Sequence, residues 1–332
     1  MKRISTIICL LIGLNGLYAQ TQYSNESNIS AGAGNSSLKY SIEGEGNVKS
    51  GIGGNIGFGY THFFATYIGF SLGMEAAIYN SSFDIDAIST GFAIPTPPDL
   101  KGDLILNANY AGFNEKQSAV FVQLPIMLNF QIPLGSSAFF YVNAGGKYGF
   151  PVSSSFNQTV NSITTTGYSS YTGQTFQNLP SHGFDTYQNV KSSDKMETGS
   201  SLMFALEAGL KWKISQTNYL YTGIYLDNGV NNIFTKPTSP KELLDYNNDI
   251  STDYKYNSIL QTNLTGVEEI KTFAVGVKIK IAFGSGKKYE HTKKVYMPEV
   301  KKVTEPKKVQ PKQTPKPTRT VPQKPRPILD MD

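Results

Sequence analysis

Bulky apolar side chains alternate with small or cationic ones along residues 272–283. The apolar positions are Phe273, Val275, Val277, Ile279, Ile281 and Phe283. A period of two places all of them on one face of a β-strand and the intervening residues on the other face. The same pattern recurs in at least six segments of the chain. Strands of this kind are typical of a barrel that turns its apolar face to lipid and encloses a wet or charged interior.

The alternation predicts eight strands, at residues 27–41, 51–64, 67–85, 117–132, 138–152, 198–214, 219–233 and 270–284. The connections at residues 65–66, 133–137 and 215–218 are short. Residues 153–181, rich in Ser, Thr, Tyr and Gly, are expected to form a solvated, mobile loop. Transmembrane barrels have short periplasmic turns and longer external loops. The sequence therefore predicts an all-β fold, an up-and-down, eight-stranded antiparallel transmembrane β-barrel with both chain ends in the periplasm.

The N-terminus differs from this strand-rich region. Lys2 and Arg3, followed by an apolar run that ends in a small residue, predict a signal peptide over residues 1–19. A membrane anchor is the alternative, although about fifteen apolar residues are short for a helix that spans a bilayer. The single cysteine, Cys9, lies in this segment, so the mature chain would have neither disulfides nor thiolate metal sites. The barrel is then predicted over residues 20–284.

Residues 285–332 are rich in Lys and Pro, and we predict that they form a disordered periplasmic tail. They hold 13 Lys and Arg against 5 Asp and Glu, a net charge of +8, and 8 of the chain's 17 prolines. The positive charge of the chain therefore comes from the tail and, without a recognition motif, does not indicate nucleic-acid binding. The tail is interpreted as a cationic tether to peptidoglycan or to a periplasmic protein. The alternative is an unstructured end without a partner.

Charged residues recur at inward-facing positions of the predicted strands. They are Glu75, Lys147, Glu207, Lys211, Asp227, Lys278 and Lys280. Buried charges cost several kcal/mol unless they are paired, so opposite signs at similar depth predict a salt-bridged network in the lumen. One interpretation is a gate or ion path. The other is a network that simply fills the barrel, and eight strands favour it because they leave little lumen space.

Aromatic residues gather beside the short turns. The set is Phe63, Phe64, Tyr67, Phe130, Phe139, Phe140, Trp212, Tyr219 and Phe283. Rings at this position match the aromatic girdle that lies at headgroup level in membrane barrels, although aromatic residues are also common in ordinary strands. We therefore predict that these side chains lie at the membrane interface, in contact with outer-membrane lipid.

The sequence offers no arrangement of residues for catalysis, metal binding or cofactor binding. His62, His182 and His291 are not spaced as metal ligands, and His182 with Asp185 is too common a pairing to indicate a catalytic site. The glycine-rich residues 51–59 lie in an alternating segment with no following helix, unlike a phosphate-binding loop. No enzymatic activity and no cofactor are expected.

Three segments resemble a known family. They are FVQLPIMLNFQI, LEAGLKWK and YLYTGIYLDNGVNNI, which begin at Phe121, Leu206 and Tyr219. With these strands the chain resembles the OmpA-type outer-membrane β-barrel domains of Gram-negative bacteria over roughly residues 27–284.

The resemblance implies an envelope protein that the barrel assembly machinery inserts into the outer membrane. Such barrels are often followed by a peptidoglycan-binding domain, but the 48 residues after Gly284 are too few for one. A structural or interaction role is expected. The alternatives are a small channel or porin, and a surface adhesin that acts through the external loops.

Overall fold

The structure is a computed structural model that describes residues 24–94, 101–235, 239, 241–246 and 254–285. The strands are β1 Ser24–Tyr40, β2 Asn47–Ser50, β3 Ile52–Ala65, β4 Ile68–Ile94, β5 Leu104–Pro133, β6 Ala138–Ser169, β7 Thr175–Phe176, β8 Thr186–Lys195, β9 Ser201–Lys213, β10 Asn218–Gly229, β11 Leu244–Asp245, β12 Lys255–Tyr256 and β13 Ile270–Ser285. Short 3-10 helices cover Pro180–His182 and Ile259–Gln261. Within these residues no helix is long and apolar enough to cross a membrane. The predicted signal peptide and tail lie outside the described residues.

Eight strands close into an antiparallel ring. Its order is β1, β3, β4, β5, β6, β9, β10 and β13, and β13 pairs with β1 from Ser285 opposite Asn25 to Ile270 opposite Tyr40. Each strand of the ring pairs with the next one along the chain, so the topology is up-and-down. Closure leaves every ring strand with a neighbour on both sides, which satisfies the backbone in lipid. The predicted eight-stranded barrel is confirmed.

The two faces of the ring strands have opposite polarity. Outward residues such as Ile56, Phe58, Leu128, Phe204 and Val277 are exposed and apolar. Inward residues are buried and largely polar, among them Gln123, Asn129, Asn143, Glu207 and Lys278. An exposed apolar band around a buried polar interior is the reverse of a soluble protein and is the pattern of a barrel that sits in lipid.

The two ends of the barrel also differ. At the short-turn end, residues 66–67, 134–137 and 214–217 join the strands, close to the predicted turns. At the opposite end, β4, β5 and β6 run on to lengths of 27, 30 and 32 residues. The other barrel strands have 12 to 17 residues. We use the term extension for residues 80–94, 104–118 and 154–169 of these strands, together with β8, which pairs with β6.

The prediction of a mobile loop over residues 153–181 was wrong for its first half. Residues 153–169 continue β6, and Thr159 is paired with both Asn114 of β5 and Lys191 of β8. The strand bounds predicted at 85, 117 and 152 were wrong for the same reason. Beyond these points most outward residues are polar, so the sequence no longer shows the lipid-facing pattern, yet the pairing of the strands continues.

The inward face of the extension is apolar and covered. Its buried side chains include Phe83, Leu106, Phe113, Phe156 and Ile163. A later part of the chain packs against them and contributes Leu243, Leu244, Ile259 and Leu260 to the same cluster. Each such side chain stabilises the packed state by about 1.5–3 kcal/mol when it is fully removed from water. The long-strand end therefore has an apolar core of its own.

Candidate functional site

The first group of lumen charges is centred on Lys147 of β6. Its ammonium Nζ lies 2.7 Å from Glu75 Oε2 and 2.8 Å from Asp227 Oδ2, and Lys278 pairs with the other oxygen of Glu75. Lys280 Nζ lies 2.7 Å from Glu207 Oε1, so each acid of the group has a lysine partner. Strands β4, β6, β9, β10 and β13 thus each contribute a charge to this level of the barrel.

The second group lies nearer the short-turn end and is centred on Lys211 of β9. Its Nζ lies 2.5 Å from Glu26 Oε1 and donates to Gln131 Oε1 at 3.0 Å. The hydroxyl of Tyr221 donates to the other Glu26 oxygen at 2.5 Å. Four rings surround the ammonium at 4.2–5.6 Å from their centroids, those of Phe63, Phe139, Tyr219 and Tyr221. Rings at this distance attract a cation through their faces.

Four lysines and four acids therefore balance in the lumen, and all seven charged residues named from the sequence lie there in ion pairs. The eighth, Glu26, was missed because the first strand was predicted to begin only at residue 27. The sequence contained a signal for it: Glu26 is four residues before Ser30, so the two side chains point to the same, inward face of β1. Glycine makes room for the carboxylates: a Cβ on Gly57 would stand 2.6 Å from Glu75 Cγ.

Uncharged side chains fill the lumen above these two groups. Gln123 Nε2 donates to the Tyr79 hydroxyl at 2.6 Å, and the Tyr79 ring meets Phe121 edge-on at 5.7 Å. Met203 is buried beside them, with its sulfur 3.5 Å from the Tyr79 hydroxyl. In the part of the chain that is described, no three His, Asp or Glu side chains are placed to hold a metal ion. Side chains therefore fill the lumen at each of these three levels.

The predicted aromatic set divides between the two faces of the barrel. Its outward, exposed members are Phe64, Tyr67, Phe130, Phe140, Trp212 and Phe283. The prediction was wrong for Phe63, which is only 3% exposed, and for Phe139 and Tyr219, because all three rings turn into the lumen around Lys211. The alternation along β10 could have shown that Tyr219 points inward, since it is an even number of residues from the inward Asp227. The interface role of the outward rings stays a prediction.

A further buried acidic residue, Glu115, lies in the extension. It accepts hydrogen bonds from Gln117 Nε2 at 3.0 Å, Gln158 Nε2 at 2.7 Å, Ser258 Oγ at 2.6 Å and the Ile259 backbone N–H at 2.8 Å. Complete burial raises the pKa of Glu115 above its ordinary value, and the four hydrogen bonds oppose that shift without cancelling it. Glu115 thus connects two strands of the extension to the segment that covers its core.

Comparison with known proteins agrees with this architecture. The chain matches the outer membrane protein beta-barrel domain family over residues 18–235, about two thirds of its length, and belongs to that family. It is a protein of the bacterial outer membrane. No curated protein matches the chain.

Several solved outer-membrane barrels are similar to this chain. Ail, the attachment invasion locus protein of Yersinia pestis, solved with the heparin analogue sucrose octasulfate, is 14% identical over 78% of this chain and 99% of its own, with a TM-score of 0.27. The N-terminal barrel domain of OprF from Pseudomonas aeruginosa is 11% identical over 80% and 100%, with a TM-score of 0.24. OprG from the same organism is 14% identical over 80% and 96%, with a TM-score of 0.30. At this level of identity the likeness concerns the fold alone.

Proposed function

We propose that this protein is a non-enzymatic barrel with a structural or interaction role in the cell envelope, and that its charged lumen fills the barrel. The observation that supports this proposal is the complete pairing of four lysines with four acids. A permanent ion path needs charges that water can reach, whereas Lys147 and Lys211 are both buried. The network then acts as a polar core for a fold whose apolar residues face lipid.

Conductance in planar bilayers tests this proposal against the channel alternative. We expect no steady conductance from the wild-type protein, because the paired charges and the rings around Lys211 block the lumen. A variant that carries both Glu75→Ala and Lys147→Ala removes the ion pairs that these two residues form with each other, with Asp227 and with Lys278, and serves as the opening variant. Large, reproducible openings of the wild-type protein would favour a porin, and the proposal would then be abandoned.

The extension suggests where an interaction role would reside. Its three long strands continue past the lipid-facing band and remain paired, so this end of the barrel would present a folded surface outside the bilayer. By the general rule for outer-membrane barrels, the end with short turns faces the periplasm and the opposite end faces the outside. This observation favours the adhesin alternative over the channel. Loss of adhesion after removal of residues 86–94 and 104–112 together, with heat-modifiable folding retained, would support it.

We further propose that the Lys- and Pro-rich tail tethers the barrel in the periplasm. Its net charge of +8 would attract acidic groups such as peptidoglycan carboxylates, and this attraction should weaken as salt rises. Full-length protein and a variant that ends at Gly284 can be compared for co-sedimentation with purified peptidoglycan. Stronger sedimentation of the full-length chain at low salt supports the tether, whereas equal sedimentation of both proteins excludes it.

A further inference from the structure

The outward face of the extension changes character just above the lipid-facing band. On that face the lipid-facing band ends at Ile78 of β4, Val120 of β5 and Val152 of β6. Above them the same strands present polar side chains to the outside, including Ser118, Ser155, Asn114, Asn157 and Thr159. This polar face is thus continuous with the membrane-embedded face, and it begins where the apolar layer of the bilayer ends.

Three lysines converge on this polar face. Lys116 of β5 is opposite Asn157 of β6, which in turn is opposite Ser193 of β8. Lys191 and Lys195 stand two residues to either side of Ser193, and all three lysines are exposed. With strands ~4.8 Å apart and a rise of ~3.4 Å per residue, the Cα of Lys116 lies about 12 Å from those of Lys191 and Lys195. Lysine side chains are long enough for all three ammonium groups to contact one ligand placed between them.

Apart from the buried Glu115, the acids nearest the three lysines in sequence or in register are Asp84, Asp194 and Glu197, the last of which is exposed two residues beyond Lys195. None of the three lysines forms an ion pair with another described residue, and Asp84, which is on the same face in the row of Asn114, is paired with Lys49 at 2.8 Å. Asp194 lies opposite Phe156, a residue of the inner face, so it points away from the lysines. The polar face is therefore a cationic patch set among hydroxyl and amide groups, which are suited to hydrogen bonds with sugars.

We propose that this patch binds the phosphorylated saccharide headgroup of a glycolipid in the outer leaflet around the barrel. Continuity with the lipid-facing band places the patch beside lipid headgroups, and three cations match phosphate. The distance of the patch from the apolar layer favours a glycolipid. Lys116 is four residues beyond Val120, which places it about 10 Å above the apolar layer for a strand tilted by about 45°. Phospholipid headgroups extend only about 5–8 Å from that layer, so a headgroup of several sugars is needed to reach all three lysines.

Binding of a phosphorylated lipopolysaccharide to the full-length protein in detergent tests the proposal, with bound glycolipid counted by native mass spectrometry. The test variant carries Lys116→Gln, Lys191→Gln and Lys195→Gln. The matched control carries Lys101→Gln, Lys241→Gln and Lys255→Gln, which remove the same charge from exposed lysines outside the patch. At about 1 kcal/mol per lysine, the test variant should bind on the order of a hundredfold more weakly and the control should bind like wild type.

Two further measurements identify the ligand. The same lipopolysaccharide without its phosphates should bind the wild type as weakly as the intact form binds the test variant. Lysine acetylation of the wild type should show protection by lipopolysaccharide at the three patch lysines but not at the three control lysines, a result that needs no variant to fold. Equal losses in both variants, or full binding of the dephosphorylated form, would each overturn the proposal.

Discussion

Strands β4, β5 and β6 line part of the barrel lumen and also the core of the extension, yet these two regions are built from opposite kinds of side chain. In the lumen, β5 turns Gln131, Asn129 and Gln123 inward, and the charges pair with each other. In the extension, the same strand turns Phe113 and Leu106 inward. Outward, the order is reversed: apolar residues lie around the lumen and polar ones lie around the extension.

This difference shows that the surroundings of a strand, and not the strand itself, decide which face is apolar. Where lipid covers the outside, the hydrophobic effect gives no reason to place apolar groups inside. Where water covers the outside, burial of apolar side chains stabilises the structure. The change occurs at Val120 and Phe121, where the pairing of β5 with β6 shifts register and β6 accommodates Val152 as an extra residue.

The largest effect should follow from breaking an ion pair in the lumen. Lys147→Met leaves Asp227 buried without its partner and should lower the free energy of unfolding by about 3–5 kcal/mol, measured by urea titration in lipid vesicles. Lys213→Met at the exposed end of β9 is the control and should change it by less than about 0.5 kcal/mol.

A double variant sharpens this test of the lumen. Adding Asp227→Leu to Lys147→Met removes the unpaired acid and should recover most of the lost stability, because apolar groups of similar volume can replace a buried pair. A double variant as unstable as the single one would mean that shape, and not charge, accounts for the loss.

A core substitution in the extension should have a smaller and local effect. Leu260→Ala removes a buried side chain and should destabilise the packed segment by about 3 kcal/mol. Hydrogen exchange of residues 254–267 should rise while the barrel keeps its heat-modifiable migration on gels. Leu179→Ala, at a half-exposed position on the same side of the barrel, is the control. Equal loss of barrel stability would show that the two cores unfold together.

The pH dependence of the same segment should be weaker still. Because burial raises the pKa of Glu115, its contribution to stability is fully present below the ordinary glutamate pKa of about 4.3 and is lost as pH rises through the raised value. Exchange protection of residues 254–267, corrected for chemical exchange rates, should therefore fall as pH rises above the ordinary glutamate pKa of about 4.3. Glu115→Gln should flatten this profile. A profile that keeps its slope in the variant would assign the effect to another group.

The smallest expected signal concerns Trp212, the only tryptophan, which is 42% exposed on the outward face beside a short turn. Its Nε1–H donates to Thr222 Oγ1 at 3.0 Å, which fixes the indole ring against the barrel. Lipids brominated high on the acyl chain should quench its fluorescence, as expected at a membrane interface. Strong quenching by aqueous iodide without an effect of brominated lipid would contradict this placement.

The fold could be predicted because lipid-facing strands leave a simple period of two, as in β13. The lumen charges were found by the same phase, since Glu75 and Lys278 each interrupt the inward face of an alternating strand. The extension could not be found in this way. Its outward Asn, Ser and Thr resemble loop composition, and the residues that cover its inner face come from a distant part of the sequence, such as Leu243 and Leu260.

Two errors came from local geometry. Phe63 and Phe64 were both placed at the interface, but neighbours on a strand point to opposite faces. Phe63 shares its phase with the buried Thr61 and turns inward, whereas Phe64 is 43% exposed. Glu26 was missed at the edge of a weak strand whose outward residues, such as Ala31 and Ala33, are small. Its role depends on Lys211, which is 185 positions away in the sequence.

The pairing of β1 with β13 has a consequence for how the barrel assembles. These strands are the most distant of the ring in sequence, with Asn25 opposite Ser285, whereas every other ring pair joins consecutive strands. Contacts between distant residues carry the largest loop-closure entropy and form late. The seam also has Gly34 opposite Gly276, where no side chains interlock. We therefore expect the pairing of β1 with β13 to form last during insertion. We also expect it to be the first strand pair of the barrel to separate.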